Sequence, residues 1–328
     1  MKELKKQLQN GVFHNVYLFY GQEKYLLEMY LEKLTKELLL GGDATMNYDF
    51  FDKSSMNVDK FFYACETLPF FADRRVVVLR DVKLFKSKNK DVDEIAERIT
   101  DVPESTTVIF IEEEVDKRSK LFKMIKKHGH VASFELLSEN DLIKWIGQKL
   151  HTAGKKIERS TALHFVKTVG TDMATLQQEL DKLTMYNLDE EIITQESVNA
   201  ICTRTIENKI FELVGAMGQN RRERALLLYH DMLTAKEPPG RILFMLIRQF
   251  RFVLQSKLLS QKGLSERDIA GRIKVAPFVV RECLRQGKHM SVERLKVALG
   301  DCLEADSHIK TGRLDPKIGV EMIIMKYS

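Results

Sequence analysis

Along the first 138 positions, short continuous apolar runs alternate with amphipathic stretches. Val16-Tyr17-Leu18-Phe19-Tyr20 ends at Gly21, and a helical pattern then runs from Tyr25 through Leu40 to a stop at Gly41-Gly42. That is a strand followed by a helix. Tyr48 to Phe51 predicts a short strand, Val58 to about Leu68 a helix, Val76 to Leu79 a strand, and the stretch through Glu94 to Ile99 a charged helix. Val108 to Ile111 predicts a further strand, Ser119 to Lys127 a short basic helix, and Val131 to Phe134 the last strand. Apolar runs so short and continuous suit strands covered on both faces, and their alternation with helices argues for a parallel α/β sheet.

After Leu137 the strand patterns cease. Leu142 to His151, Ser160 to Val169, Thr171 to Met185 and Thr194 to Ile201 each predict a helix, and from about Asn208 a third block is helical throughout. Only Pro238-Pro239-Gly240, Gly263, Gly271 and Gly287 punctuate it, so it predicts a helical bundle. The expected domains are therefore 1–138, an α/β module; 139–207, a small helical domain; and 208–328, an all-α domain.

Composition changes this picture little. At 328 residues the chain exceeds one ordinary domain, and 44% apolar with 30% charged residues is the balance of a globular protein. No run approaches the roughly 18 apolar residues of a membrane helix, and the start, Met1 to Gln7, looks like the first turn of a helix and not a leader, so a cytoplasmic protein is expected. Cys65, Cys202, Cys283 and Cys302 are scattered without ligand or disulfide spacing, which predicts reduced thiols, no metal and no cofactor. A net charge of +5 is too small, by itself, to argue for nucleic acid.

Candidate chemistry concentrates in Glu66-Thr67-Leu68-Pro69-Phe70-Phe71-Ala72-Asp73-Arg74-Arg75. Pro69 ends the helix before it, leaving two adjacent aromatic residues in a turn just ahead of a buried strand. One such ring tucks readily under a sheet; two in succession are harder to hide, so an exposed apolar wedge is expected there, the mark of a partner site. Where a phosphate loop would follow the first strand, Gly21-Gln22-Glu23-Lys24-Tyr25-Leu26-Leu27-Glu28 lacks the second Gly, the Lys and the Ser or Thr, and offers Glu23 and Glu28 where phosphate would be repelled. Glu112-Glu113-Glu114 after the Val108 strand is expected to be a solvated strand end. No metalloprotease, nucleophile-elbow or cysteine-nucleophile pattern occurs, so no catalytic residue is nominated. Arg241, Arg248 and Arg251 share one helix and could face DNA, a partner or solvent. The lysines from Lys117 to Lys127 and the single Trp145 read first as a solvated helix face and a packing residue.

Taken together, Tyr20-Gly21-Gln22-Glu23, Thr67 to Phe71 and Arg74 to Val78, followed by Pro239 to Leu243, Arg248 to Arg251, Ala276 to Val280 and Asp306 to Gly312, resemble the delta subunits of bacterial DNA polymerase III clamp loaders. The resemblance spans nearly the whole chain. It implies an AAA+-like α/β module without a functional P-loop, a small helical lid domain and an all-α collar domain. It further implies a subunit of the polymerase III holoenzyme that is not an enzyme on its own. In that family this subunit binds the sliding clamp and helps hold its ring open, while sister subunits bind ATP and a delta-prime-like subunit joins the ring. The matched clamp contact falls on Leu68, Pro69, Phe70 and Phe71, with Asp73, Arg74 and Arg75 at its rim. Primed DNA within the complex and a cytoplasmic site at replication forks complete the expectation, with no membrane partner. Two alternatives stay open: a degenerate AAA+ NTPase and a direct DNA-binding module.

Overall fold

The computed structural model of the chain describes residues 2–40, 43, 45–86, 90–203 and 205–328. Two units divide it, Met1–Leu136 and Leu137–Ser328. In the first, α1 (Lys2–Asn10), β1 (Val16–Gly21), α2 (Lys24–Leu38), β2 (Tyr48–Phe51), α3 (Val58–Glu66), β3 (Arg75–Arg80), α4 (Lys90–Arg98), β4 (Thr106–Glu112), α5 (Lys120–His128) and β5 (His130–Phe134) follow in turn. The strands form one sheet in the order β2-β3-β4-β1-β5, and every neighbouring pair is parallel. This is the α/β module that the alternating pattern predicts. The Gly41-Gly42 stop lies outside the described residues.

Burial explains why the strands read as continuous apolar runs. β4 is buried along its whole length, and β3 from Val76 to Leu79, with Val77 opposite Val108 and Leu79 opposite Phe110. On one face these side chains meet Phe61 and Phe62 of α3 and Ile95 of α4. On the other, the Phe19 ring packs edge-on to Phe134 at 5.2 Å. α1 docks through the Tyr17 hydroxyl, which donates to Gln7 Oε1 at 2.9 Å, and burial pushes that hydroxyl up to about 12. β2 is an edge strand: Phe51 turns inward against Phe61, whereas Phe50 is exposed.

The second unit is mostly helical. It contains α6 (Glu139–Thr152), α7 (Arg159–Val169), α8 (Met173–Tyr186), α9 (Gln195–Ile201), α10 (Ile206–Gly218), α11 (Arg222–Thr234), α12 (Pro239–Gln261), α13 (Glu266–Ile273), α14 (Pro277–Gly287), α15 (Val292–Lys310) and α16 (Pro316–Tyr327). Side-chain caps set many of the starts: Ser138, Asp172, Thr194, Thr205, Ser265, Ser291 and Asp315 each accept a first-turn amide. Leu213, Met217, Tyr229, Leu243, Leu246 and Phe250 belong to the core around α12. No described helix is long and apolar enough to cross a membrane.

The expectation that strands cease after Leu137 needs one correction. β6 (Lys156–Ile157) and β7 (Ile192–Ile193) pair in parallel, at two residues each too short to display any period. Beside them the buried Lys155 ammonium donates to the carbonyl oxygens of Asn187, Leu188 and Glu190 at 2.6, 2.8 and 2.9 Å, which ties the two segments together.

Gly21 closes β1 with φ near 140°, and a Cβ there would lie 2.1 Å from the Phe134 carbonyl oxygen. Gly21→Ala is therefore expected to lower the unfolding free energy by about 2 kcal/mol or more. Urea unfolding measures it, and an unchanged midpoint would contradict the close approach.

Candidate functional site

The segment between α3 and β3 is built to stop a helix and then to hold two rings outside it. Thr67 ends α3 by donating both its amide and its hydroxyl to the Tyr63 carbonyl, at 3.0 and 2.7 Å. Pro69 prevents any continuation. The chain then crosses to the amino end of β3 with Leu68 78%, Phe70 51% and Phe71 84% exposed, while Pro69 is half-buried. The two phenyl rings lie edge to face, 4.5 Å between centroids, a geometry that contributes about 0.5–1.5 kcal/mol beyond burial. Phe71 sits in the left-handed region at φ 47°, which costs a residue with a side chain roughly 1–2 kcal/mol.

Asn47, just before β2, offsets that strain. It is fully buried, and its side chain brackets the Phe70 peptide: Oδ1 accepts the Phe70 amide at 2.6 Å, and Nδ2 donates to the Phe70 carbonyl at 2.9 Å. Nδ2 also donates to the Asp43 carbonyl at 3.0 Å, and the Asn47 carbonyl accepts the Val76 amide at 2.8 Å. One side chain thus fastens the loop to the start of β2, 23 positions earlier in sequence. Nothing in the local pattern marks Asn47, and sequence reasoning missed it.

Of the three charges expected at the rim, Asp73 is exposed. Arg74 reaches inward to the Thr107 hydroxyl at 3.3 Å. Arg75 is paired to Asp49 at 2.5 Å and donates to the Met46 carbonyl at 3.0 Å, with its side chain only 11% exposed. That takes the Arg75 guanidinium off the rim and makes it a tie between β2 and β3. Exposed Met46, Phe50 and Tyr63 add further apolar surface in the segments on either side.

The opposite, carboxyl end of the sheet is where open α/β folds place their ligands. Here only Gln22 and Glu23 separate β1 from α2, and the Glu23 amide is held by the Phe134 carbonyl at 2.9 Å. Glu28 of α2 accepts from both terminal guanidinium nitrogens of Arg80, at 2.5 and 2.8 Å. Glu112 corrects the expected solvated strand end: it pairs with Tyr20 across β1 and is only 6% exposed, whereas Glu113 and Glu114 are exposed. Its carboxylate accepts the Lys83 amide at 2.7 Å, yet burial outweighs this and pushes its pKa from the ordinary 4.5 to about 7.

Elsewhere, Arg241 pairs with Glu237 at 3.1 Å, while the Arg248 and Arg251 guanidiniums lie 5.3 and 6.0 Å from the Phe252 ring centroid on an exposed face of α12. Lys123, Lys126 and Lys127 are exposed on α5, and Lys120 pairs with Glu97. Trp145 is half-buried, with the Lys149 ammonium 5.6 Å from its ring centroid.

A sequence model of the DNA polymerase III delta subunit matches residues 17–135, and one of that subunit's C-terminal domain matches residues 207–327. The chain belongs to the DNA polymerase III delta subunit family. Its relatives include the DNA polymerase III subunit delta of Bacillus subtilis, 28% identical over 98% of this chain and 95% of that protein. A probable DNA polymerase III subunit delta of Aquifex aeolicus is 21% identical over 76% of this chain and 72% of its own length. The solved structure of the Bacillus subtilis DNA clamp loader delta protein superposes with a TM-score of 0.82 at 27% identity, covering 99% of this chain and 98% of that one. Family membership makes this a protein of DNA replication. The Phe70–Phe71 loop and the Asn47 brace both fall within the first matched segment.

Two outcomes follow from this geometry. Asn47→Ala leaves the Phe70 amide and carbonyl unpaired and is expected to lower stability by about 1–3 kcal/mol in urea unfolding; no loss would mean that the brace bears no strain. Glu112, with its raised folded pKa, keeps a proton between about 4.5 and 7 that the unfolded chain has released. Its contribution to stability is therefore full below 4.5 and fades as the pH rises through 7. Glu112→Gln, neutral at every pH, should flatten this part of the stability profile and be the more stable chain at pH 8; identical profiles at pH 5 and 8 would contradict the buried carboxylate.

Proposed function

We propose that this chain is the clamp-gripping subunit of a replicative clamp loader, and that Leu68, Pro69, Phe70 and Phe71 are its contact with the sliding clamp. The observation that carries this reading is the pair of phenylalanine rings exposed in solvent on a loop whose backbone is fixed from behind by Asn47. Exposed apolar surface held in place is expensive for an isolated protein and useful for a partner, because a rigid anchor loses little freedom on binding. The rings enter a hydrophobic pocket on the clamp and help to hold one of its interfaces open. Asp73 is the rim charge and tunes association more than affinity.

The rest of the subunit serves this grip. Residues 139–207 act as a lid domain and 208–328 as the collar that joins the other loader subunits in a ring around primed DNA. ATP is bound by those sisters and not here. The two-residue turn after β1 and the Glu28–Arg80 pair support this division of labour. The reading makes the chain a non-catalytic component of the polymerase III holoenzyme, working in the bacterial cytoplasm at the replication fork.

Full burial of each ring contributes about 1.5–3 kcal/mol, so Phe70→Ala with Phe71→Ala should weaken binding to a purified sliding clamp by on the order of 100-fold or more. Surface plasmon resonance on the intact chain reads it, with circular dichroism to verify the fold. A folded double variant of unchanged affinity would refute the assignment, and saturable ATP binding by the chain alone would refute the non-catalytic role.

A further inference from the structure

A cleft of about 240 Å³ opens in the C-terminal unit between α10, α11 and α14. Its floor is apolar: Ala216 of α10 and Leu228 of α11 are buried there, and Phe211 closes one side. Gly215 widens it, since a Cβ at that position would already lie 3.5 Å from Gln286 Nε2. The floor is also stiff. Gln286 donates to the Phe211 carbonyl at 2.8 Å and accepts from the buried Gln249 amide at 2.9 Å, linking α10, α14 and α12 beneath the cleft.

The rim carries more arginines than carboxylates. Arg221, Arg224 and Arg285 line the opening against one lining carboxylate, Glu212, which stands 3.4 Å from Arg224. Arg285 is paired along its own helix with Glu282, and Arg221 has no carboxylate partner among the described residues. α11 starts at this edge with Arg221 in the capping position and no side-chain acceptor, and the exposed Glu223 in its first turn offsets the positive end of the helix.

We infer that this cleft is a docking site for an acidic segment of a partner protein, with one apolar side chain on the Gly215–Leu228 floor and flanking carboxylates on the rim guanidiniums. Guanidinium and carboxylate match in planar, two-point geometry, and arginine is favoured at protein interfaces over other charged residues. The size points the same way. Small-molecule sites usually enclose about 300–1,000 Å³, so this cleft suits a side chain or two better than a nucleotide. The site is independent of the Phe70–Phe71 grip, and its test needs no sliding clamp.

A random heptapeptide phage library panned on the full-length chain supplies the probe. Enrichment of acidic peptides carrying one large apolar residue is expected. The best of them, synthesised with a fluorescent label, should bind at least tenfold more weakly by anisotropy to Arg221→Glu/Arg285→Glu and to Gly215→Leu, and normally to an Arg313→Glu control. The rim arginines are exposed, so the double charge reversal remains informative should Gly215→Leu fail to fold. Panning that enriches no acidic peptides, or binding untouched by the rim reversal, would overturn the proposal. Displacement of the peptide by micromolar AMP or inorganic phosphate would overturn the partner class in favour of a phosphate ligand.

Discussion

The exposed loop of the N-terminal unit depends on one buried side-chain amide, that of Asn47. A loop that displays two phenylalanine rings to water gains nothing from burying them, so its shape has to be imposed by its backbone. Asn47 does this by taking both the amide and the carbonyl of Phe70, while its own carbonyl receives the Val76 amide at the start of β3. Local strain at Phe71 persists because the neighbouring peptide is fixed on both sides. The Arg75–Asp49 pair ties β2 to β3 beside it. A flexible loop with the same two rings would have to lose conformational entropy on meeting a partner; this one has lost it on folding.

The parallel sheet has two ends, and the chain uses them differently. At the carboxyl end, where ligand crevices form, the turn after β1 is short, Glu28 and Arg80 are joined, and Glu112 is drawn into the sheet. At the amino end, between α3 and β3, the apolar loop stands exposed. The end of the sheet where open α/β folds place small ligands is thus occupied by paired and buried charges, and the exposed apolar surface of the α3–β3 loop lies at the other.

What the sequence reveals of this follows from range. Strand runs such as Val76 to Leu79 and the break at Pro69 are local signals, and they locate the sheet and the loop. The Phe pair is legible too, because adjacent large aromatics in a turn conflict with the polarity of ordinary loops. Asn47 is not legible, since its partners lie 23 positions away and its own neighbours carry no pattern. Glu112 misleads because three glutamates in a row look solvated, whereas strand pairing with Tyr20 extends one residue into the run. Arg75 misleads in the opposite sense: its charge suggests an open rim, but Asp49 on the neighbouring strand claims it. β6 and β7 are too short to leave any trace of period.

The central claim, that the loop is fixed before it meets its partner and is the part that the partner covers, is tested most directly by residue-resolved amide exchange from Thr67 to Arg74 in the free chain and with saturating sliding clamp. The Phe70 amide should be protected already in the free chain, and slowed exchange should extend to its exposed neighbours when the clamp is added. A Phe70 amide exchanging as in an unfolded peptide, or a loop indifferent to the clamp, would contradict the account.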